Sequence, residues 1–116
     1  MSKFFVLILF LISLPAAATH HCIGNVNNIS VSGNGDVYVG ISSIGDSNVI
    51  CNAGGTKGEF NQEACKTAIS MILSAKMAQK KIRLYFKNDE NTSCTKGNWN
   101  DFSTSGHQLY FIELTN

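Results

Sequence analysis

An apolar run broken only by Ser13, Phe4 to Leu14, opens the chain, and short alternating patterns fill the rest. Lys3 precedes the run and Pro15-Ala16-Ala17-Ala18 follows it. A basic start, an apolar stretch and a small-residue end are the three parts of a secretory signal peptide. The stretch is shorter than the about 20 residues a membrane span requires. Cleavage after Ala18 places Ala16 and Ala18 where the peptidase requires small side chains. Residues 1–18 are therefore read as signal peptide and 19–116 as one mature domain. Thr19-His20-His21 before Cys22 does not form a lipobox, so neither a lipid anchor nor stable membrane insertion is expected.

Cys22 to Ser32 carries Ile23, Val26, Ile29 and Val31 among asparagines and serines, and reads as a bent first strand. Gly33-Asn34-Gly35 is a tight-turn sequence. Val37, Val39 and Ile41 then alternate with Tyr38, Gly40 and Ser42, the period of two that marks a second strand. Gly45-Asp46 predicts another turn, and Asn48 to Asn52 a short third strand. Ala53 to Glu59 holds three glycines and is read as a loop. Asn61 is placed to cap a helix, with Glu63 favoured in its first turn by the dipole. Cys65, Ala68, Ile69, Ile72 and Leu73 form the apolar stripe of that helix. It is predicted to end near Gln79, where Lys76, Lys80 and Lys81 complement the C-terminal dipole. Ile82, Leu84 and Phe86 alternate with Arg83, Tyr85 and Lys87 in a fourth strand. A long polar loop, Asn88 to Gly106, holds Cys94 and the single tryptophan, Trp99. Gln108 to Leu114 is the fifth strand.

The fold class is thus mostly β with one helix. Three strands, a helix and two strands is the order of the OB-fold, a five-stranded Greek-key barrel. An open sheet with the helix packed on one face fits the same string, and the barrel is the favoured of the two. The four cysteines allow three pairings. In the barrel the first strand lies antiparallel to the fourth, so Cys22 at the start of one nears Cys94 beyond the end of the other. Cys51 ends the third strand and Cys65 lies in the first helical turn. Cys22–Cys94 and Cys51–Cys65 are therefore favoured, as two disulfides in an oxidising compartment. No pair has the spacing of a zinc site.

Charge narrows the partners. Removing Lys3 from nine Lys and Arg leaves them equal to the eight Asp and Glu. A nucleic-acid binder carries a basic excess, so DNA and RNA are not expected partners. No nucleophile-elbow or metal-helix motif is present, His107 stands alone, and neither catalysis nor a cofactor is expected.

Signal peptide, early Cys22-Ile23-Gly24 and late Cys94…Trp99 resemble small uncharacterised secreted proteins of Gram-negative bacteria. The element order and the basic-apolar segment Lys80-Lys81-Ile82-Arg83-Leu84-Tyr85-Phe86 are more distantly similar to the OB-fold B subunits of subtilase-cytotoxin-type bacterial toxins. That resemblance implies an exported, pentamer-forming subunit that binds cell-surface glycans. It assigns no sugar-contacting residue to this chain.

Two candidate sites come from the residues themselves. Trp99 stands among Lys96, Asn98, Asn100 and Asp101 in the long loop. An aromatic face beside amides and charges suits a sugar, whose C–H surface stacks while its hydroxyls find donors and acceptors. The competing reading folds Trp99 over the barrel mouth as a plug. The second site is the mature N-terminus. His21 is third after cleavage at Ala18, and His20 is third after cleavage at Ala17. A free amine, two amide nitrogens and a third-position histidine can surround Cu(II) or Ni(II) in a square plane. The expected function is a periplasmic or secreted glycan-binding module. The alternative is a periplasmic protein-interaction or inhibitor domain, monomeric where the toxin-like module is a ring, and metal binding at the N-terminus is a third, minor expectation.

Overall fold

The computed structural model describes residues 19–89 and 91–116, and the signal-peptide assignment, residues 1–18, lies outside them. The elements are β1 (His20–Val31), β2 (Asp36–Ile41), β3 (Gly45–Asn52), α1 (Gln62–Ala78), β4 (Lys81–Phe86) and β5 (Leu109–Leu114). The predicted order is the one observed. Two boundaries move. β1 starts at His20 because His20 and His21 continue the ladder against Phe86 and Tyr85. β3 starts at Gly45 rather than Asn48, because the preceding turn tightens into Ser42–Ile44. Ser43 takes a positive φ of 71° there, and Ile44 turns inward with 2 % exposure.

β1 organises the sheet because it is long and bent. His20 to Asn25 pair with β4, and Val26 to Val31 pair with β2, with a bulge between Val26 and Asn28. Bulges bend a strand and increase its twist, which lets one strand serve two neighbours at different angles. Gly24 lies just before the bend. A Cβ there would overlap Ser42 O and stand 2.7 Å from Ile41 Cγ2, so only glycine lets the end of β2 come this close. Asn25 N donates to Ser42 Oγ and Ser42 N to Asn25 O, each at 2.9 Å, closing that crossing.

The strand order is β3-β2-β1-β4-β5 and every pairing is antiparallel. The expected closed barrel is corrected here: β3 and β5 are two edges and do not pair as strands. What links them is one parallel bridge, Val49 to Asp101, with Val49 N donating to Asn100 O at 2.9 Å and Phe102 N to Val49 O at 2.8 Å. The pairing stops there because Asp101 Oδ1 accepts from Ser103 N at 2.9 Å, turning the chain away before β5 begins.

Asn61 caps α1, its side chain accepting from Ala64 N at 2.8 Å, and Glu63 occupies the first turn as expected. The buried face is Cys65, Ala68, Ile72 and Ala75. It is narrower than the predicted stripe: Ile69 is half-buried and Leu73 is exposed. That face packs against β1, β3, β4 and β5, in a core cluster that also holds Val37, Val39, Ile82, Leu84, Phe86 and Leu109. The disulfides are Cys22–Cys94 and Cys51–Cys65, the favoured pairing, and no free cysteine remains. The first fastens the long loop to β1, and the second fastens α1 to β3. Among the described residues no helix is long and apolar enough to cross a membrane.

Candidate functional site

The long loop between β4 and β5 is held by backbone contacts made almost residue by residue. Lys96 N donates to Ile44 O at 2.8 Å and Trp99 N to Asp46 O at 3.3 Å. Asn48, fully buried in β3, donates from Nδ2 to Gly97 O at 2.9 Å and accepts at Oδ1 from Asn100 N at 2.8 Å. One buried amide thus satisfies two loop groups on either side of Trp99. Asn98 Oδ1 accepts from Asp46 N at 2.8 Å, and Asn100 Nδ2 donates to Lys96 O at 2.8 Å. These contacts hold Trp99 at a φ of 62°, a left-handed backbone that non-glycine residues adopt only when their surroundings impose it.

The indole is 76 % exposed, so it is not a plug over the sheet. Its ring centroid lies 6.0 Å from that of Tyr38, edge to face at 66°. Ser30, Val31, Ser32, Tyr38 and Trp99 border a shallow depression of about 290 Å³. Leaving a large apolar ring in water forgoes roughly 2–3 kcal/mol of burial, and the loop's hydrogen bonds hold it there.

The other predicted site residues do not gather round Trp99. Asn98 and Asn100 spend their oxygen and nitrogen, respectively, on the backbone. Asp101 takes Ser103 and pairs at 3.4 Å with Lys57, which also reaches Asp36 at 3.1 Å. The amide of Asn52, first, and then Lys57 hold the Asp36 carboxyl below its usual value against the opposing effect of burial. The same contact with Asp36 raises Lys57. Sequence reasoning missed Tyr38, Val31 and the two serines, because they reach Trp99 from the β1–β2 hairpin. The alternation of β2 did place Tyr38 on the face opposite Val37 and Val39, which was the available signal.

Lys96 lies elsewhere. Its side chain has no exposed surface and that of Asp89 has 3 %. Lys96 Nζ meets Asp89 Oδ2 at 2.9 Å, His20 Nε2 at 2.8 Å and Asn91 O, and sits 4.9 Å from the centroid of the Phe86 ring. An ammonium has three N–H groups and these are three acceptors, so His20 presents a lone pair at Nε2. His107 Nδ1 adds a contact at 2.9 Å to the same Asp89 oxygen, and Asn91 N donates to the other at 2.9 Å. Burial pushes the Asp89 carboxyl up, but Lys96, His107 and the Asn91 N–H together outweigh it and leave it below the ordinary value. His107 is thus the outer member of a buried network. Its residue types could move protons, yet Lys96 and Asp89 are closed to solvent.

His20 and His21 are not brought together. Successive strand residues face opposite ways, and His20 stacks on Phe86 at 5.3 Å while His21 meets Tyr85 at 5.4 Å on the outer face. A square-planar metal site would take backbone nitrogens from residues that lie in the β1–β4 ladder. Among the described residues no group of three or more His, Cys, Asp or Glu is placed to hold a metal ion.

Comparison with protein-family models, with curated proteins and with solved structures finds no match to this chain.

Proposed function

We propose that the protein is an exported carbohydrate-binding module that stacks a sugar ring on Trp99 beside Tyr38. The observation that carries this reading is the exposure of Trp99 on a loop clamped from below by Asn48. A pre-positioned aromatic face loses little freedom on binding. The hydroxyls of Ser30, Ser32 and Tyr38 are the polar groups that border the same depression. Two disulfides suit an oxidising compartment outside the cytoplasm. The bent β1 shared by two halves of the sheet, and the parallel contact of Val49 with Asp101, support an OB-type arrangement of the kind found in toxin B subunits.

Trp99 is the only tryptophan, so selectively excited tryptophan emission reports on this site alone. Titration with the oligosaccharides selected from a glycan array should give a saturable change in emission. Trp99→Ala should weaken binding by about 2 kcal/mol or more, the loss typical of truncating a central aromatic anchor. Glycan binding that persists unchanged in Trp99→Ala would remove the reading.

A protein-interaction domain is the second reading, favoured by the open edge of β5. Tyr110 and Phe111 are exposed there, beside an apolar depression of about 270 Å³ that Ala64 and Met71 of α1 help to line. Such an edge accepts an added strand from a partner. Native mass spectrometry separates the two: a ring of subunits accompanies the toxin-like module, and a monomer or a one-to-one complex accompanies the other.

A further inference from the structure

We propose a second binding site, for the phosphate-bearing headgroup of an anionic lipid, where the end of α1 meets the start of β4 and the end of β5. A depression of about 700 Å³ lies there, lined by Lys80, Lys81 and Arg83 together with Ile23 and Leu114. A neighbouring depression of about 490 Å³ shares Lys80 and adds Lys76. Glu113 is the acidic side chain on the lining, and Arg83 Nη1 already holds it at 2.6 Å.

Basic residues at a helix end ordinarily complement its last carbonyls. Here backbone N–H groups fill that role. Lys76 occupies the last turn, but its Nζ donates to Asn27 O of β1 at 2.8 Å. The left-handed cap at Gln79 lets Gln79 N donate to Lys76 O at 3.4 Å and Lys80 N to Ala75 O at 2.8 Å. Lys80 and Lys81 are exposed and make no salt bridge with any described residue. Arg83 Nε is buried without an acceptor. An anion entering the depression supplies acceptors to both ammonium groups, and a small turn of the guanidinium then brings Arg83 onto the same anion.

The rim favours a lipid over a free phosphate ester. Ile23, 38 % exposed, stands across the strands from Arg83, and Leu114, 40 % exposed, borders the same depression at the end of β5. The next row of the same sheet face is His21, Tyr85 and Phe111, with Phe111 half exposed. Cations at the phosphate level with apolar and aromatic side chains beside them match the layering of a bilayer surface. With Lys3 removed in the signal peptide, basic and acidic residues are equal in number, so the attraction is local to this face.

The test is co-sedimentation of the disulfide-bonded protein with vesicles of equal parts phosphatidylcholine and phosphatidylglycerol, against phosphatidylcholine alone. Binding to the anionic vesicles only is expected, weakened roughly tenfold or more in the double variant K80A/K81A. The double variant K66A/K87A removes two exposed lysines elsewhere and should bind as the parent does. Trp99→Ala should also bind normally, which keeps this site separate from the proposed sugar platform. Absence of sedimentation overturns the proposal, as does equal weakening by the two lysine pairs. Glycerol 3-phosphate shifting the amide resonances of Lys80, Lys81 and Arg83 while vesicles fail to bind would also overturn it, in favour of a soluble phosphate ester.

Discussion

Lys96 carries its charge into the interior because three acceptors and an aromatic ring meet it there. Removing one member of a buried ion pair leaves the other uncompensated, which costs about 3–5 kcal/mol. Lys96→Met should therefore lower the unfolding free energy by about that amount, read from urea denaturation of the oxidised protein. Lys96→Met combined with Asp89→Asn should recover part of the loss, since no bare carboxylate then remains. If the double variant were no more stable than Lys96→Met, the charge on Asp89 would not be the cause. This network was not legible in the chain. Lys96 stands three residues from Trp99 in a polar loop, and adjacency grouped them, whereas the path of the loop sends one inward and the other out. Trp99 stood out as the lone tryptophan of that loop, but the sequence left a plug and an exposed face both open. Its companions were not legible, because Tyr38 and Val31 come from a hairpin far away in sequence.

At the scale of elements, the bend of β1 decides how the sheet is built. Gly24 is the point of closest approach between the β4-paired half of β1 and the end of β2. Gly24→Ala would press a methyl group onto Ser42 O and Ile41 Cγ2, neither of which is a free side-chain end. A destabilisation of about 1–3 kcal/mol is expected from such overpacking, seen as a lower thermal midpoint. Gly33→Ala is the control: nothing stands within 4 Å of its Cβ position, and its midpoint should scarcely move. The strands and helix could be read from sequence because alternation and the α1 stripe are local signals, each enforced by one buried face. Closure of the sheet could not. It depends on whether residues before β5 run beside β3 for one bridge or several, and the Asp101 turn that ends the contact leaves no periodic trace. The turn at Ser42–Ile44 was misplaced for a related reason: Gly45-Asp46 has turn composition, but burial of Ile44 draws the reversal forward.

The whole molecule is held by two cross-links of unequal reach. Cys22–Cys94 spans 72 residues and Cys51–Cys65 spans 14. On the chain-entropy account, losing the first should cost about 4 kcal/mol and losing the second about 3 kcal/mol. Paired Cys→Ala variants compared by chemical denaturation should preserve that order. The two buried carboxylates act at the same global scale. Asp36 and Asp89 both ionise more readily in the folded protein than at the usual value of 3.8. A carboxyl with a depressed folded value binds a proton more tightly when the chain unfolds, so its contribution is complete above the unfolded value. It is lost as pH falls through the folded one. The share of stability owed to these two groups should therefore persist down to about pH 5 and disappear progressively below about pH 4. Urea midpoints measured across that range test it against the double variant Asp36→Asn/Asp89→Asn. The variant should be less stable than the parent near neutrality and should converge on it in acid. Curves that stay parallel throughout would mean that neither carboxylate couples folding to protons, and the acid sensitivity would then belong to the exposed acids.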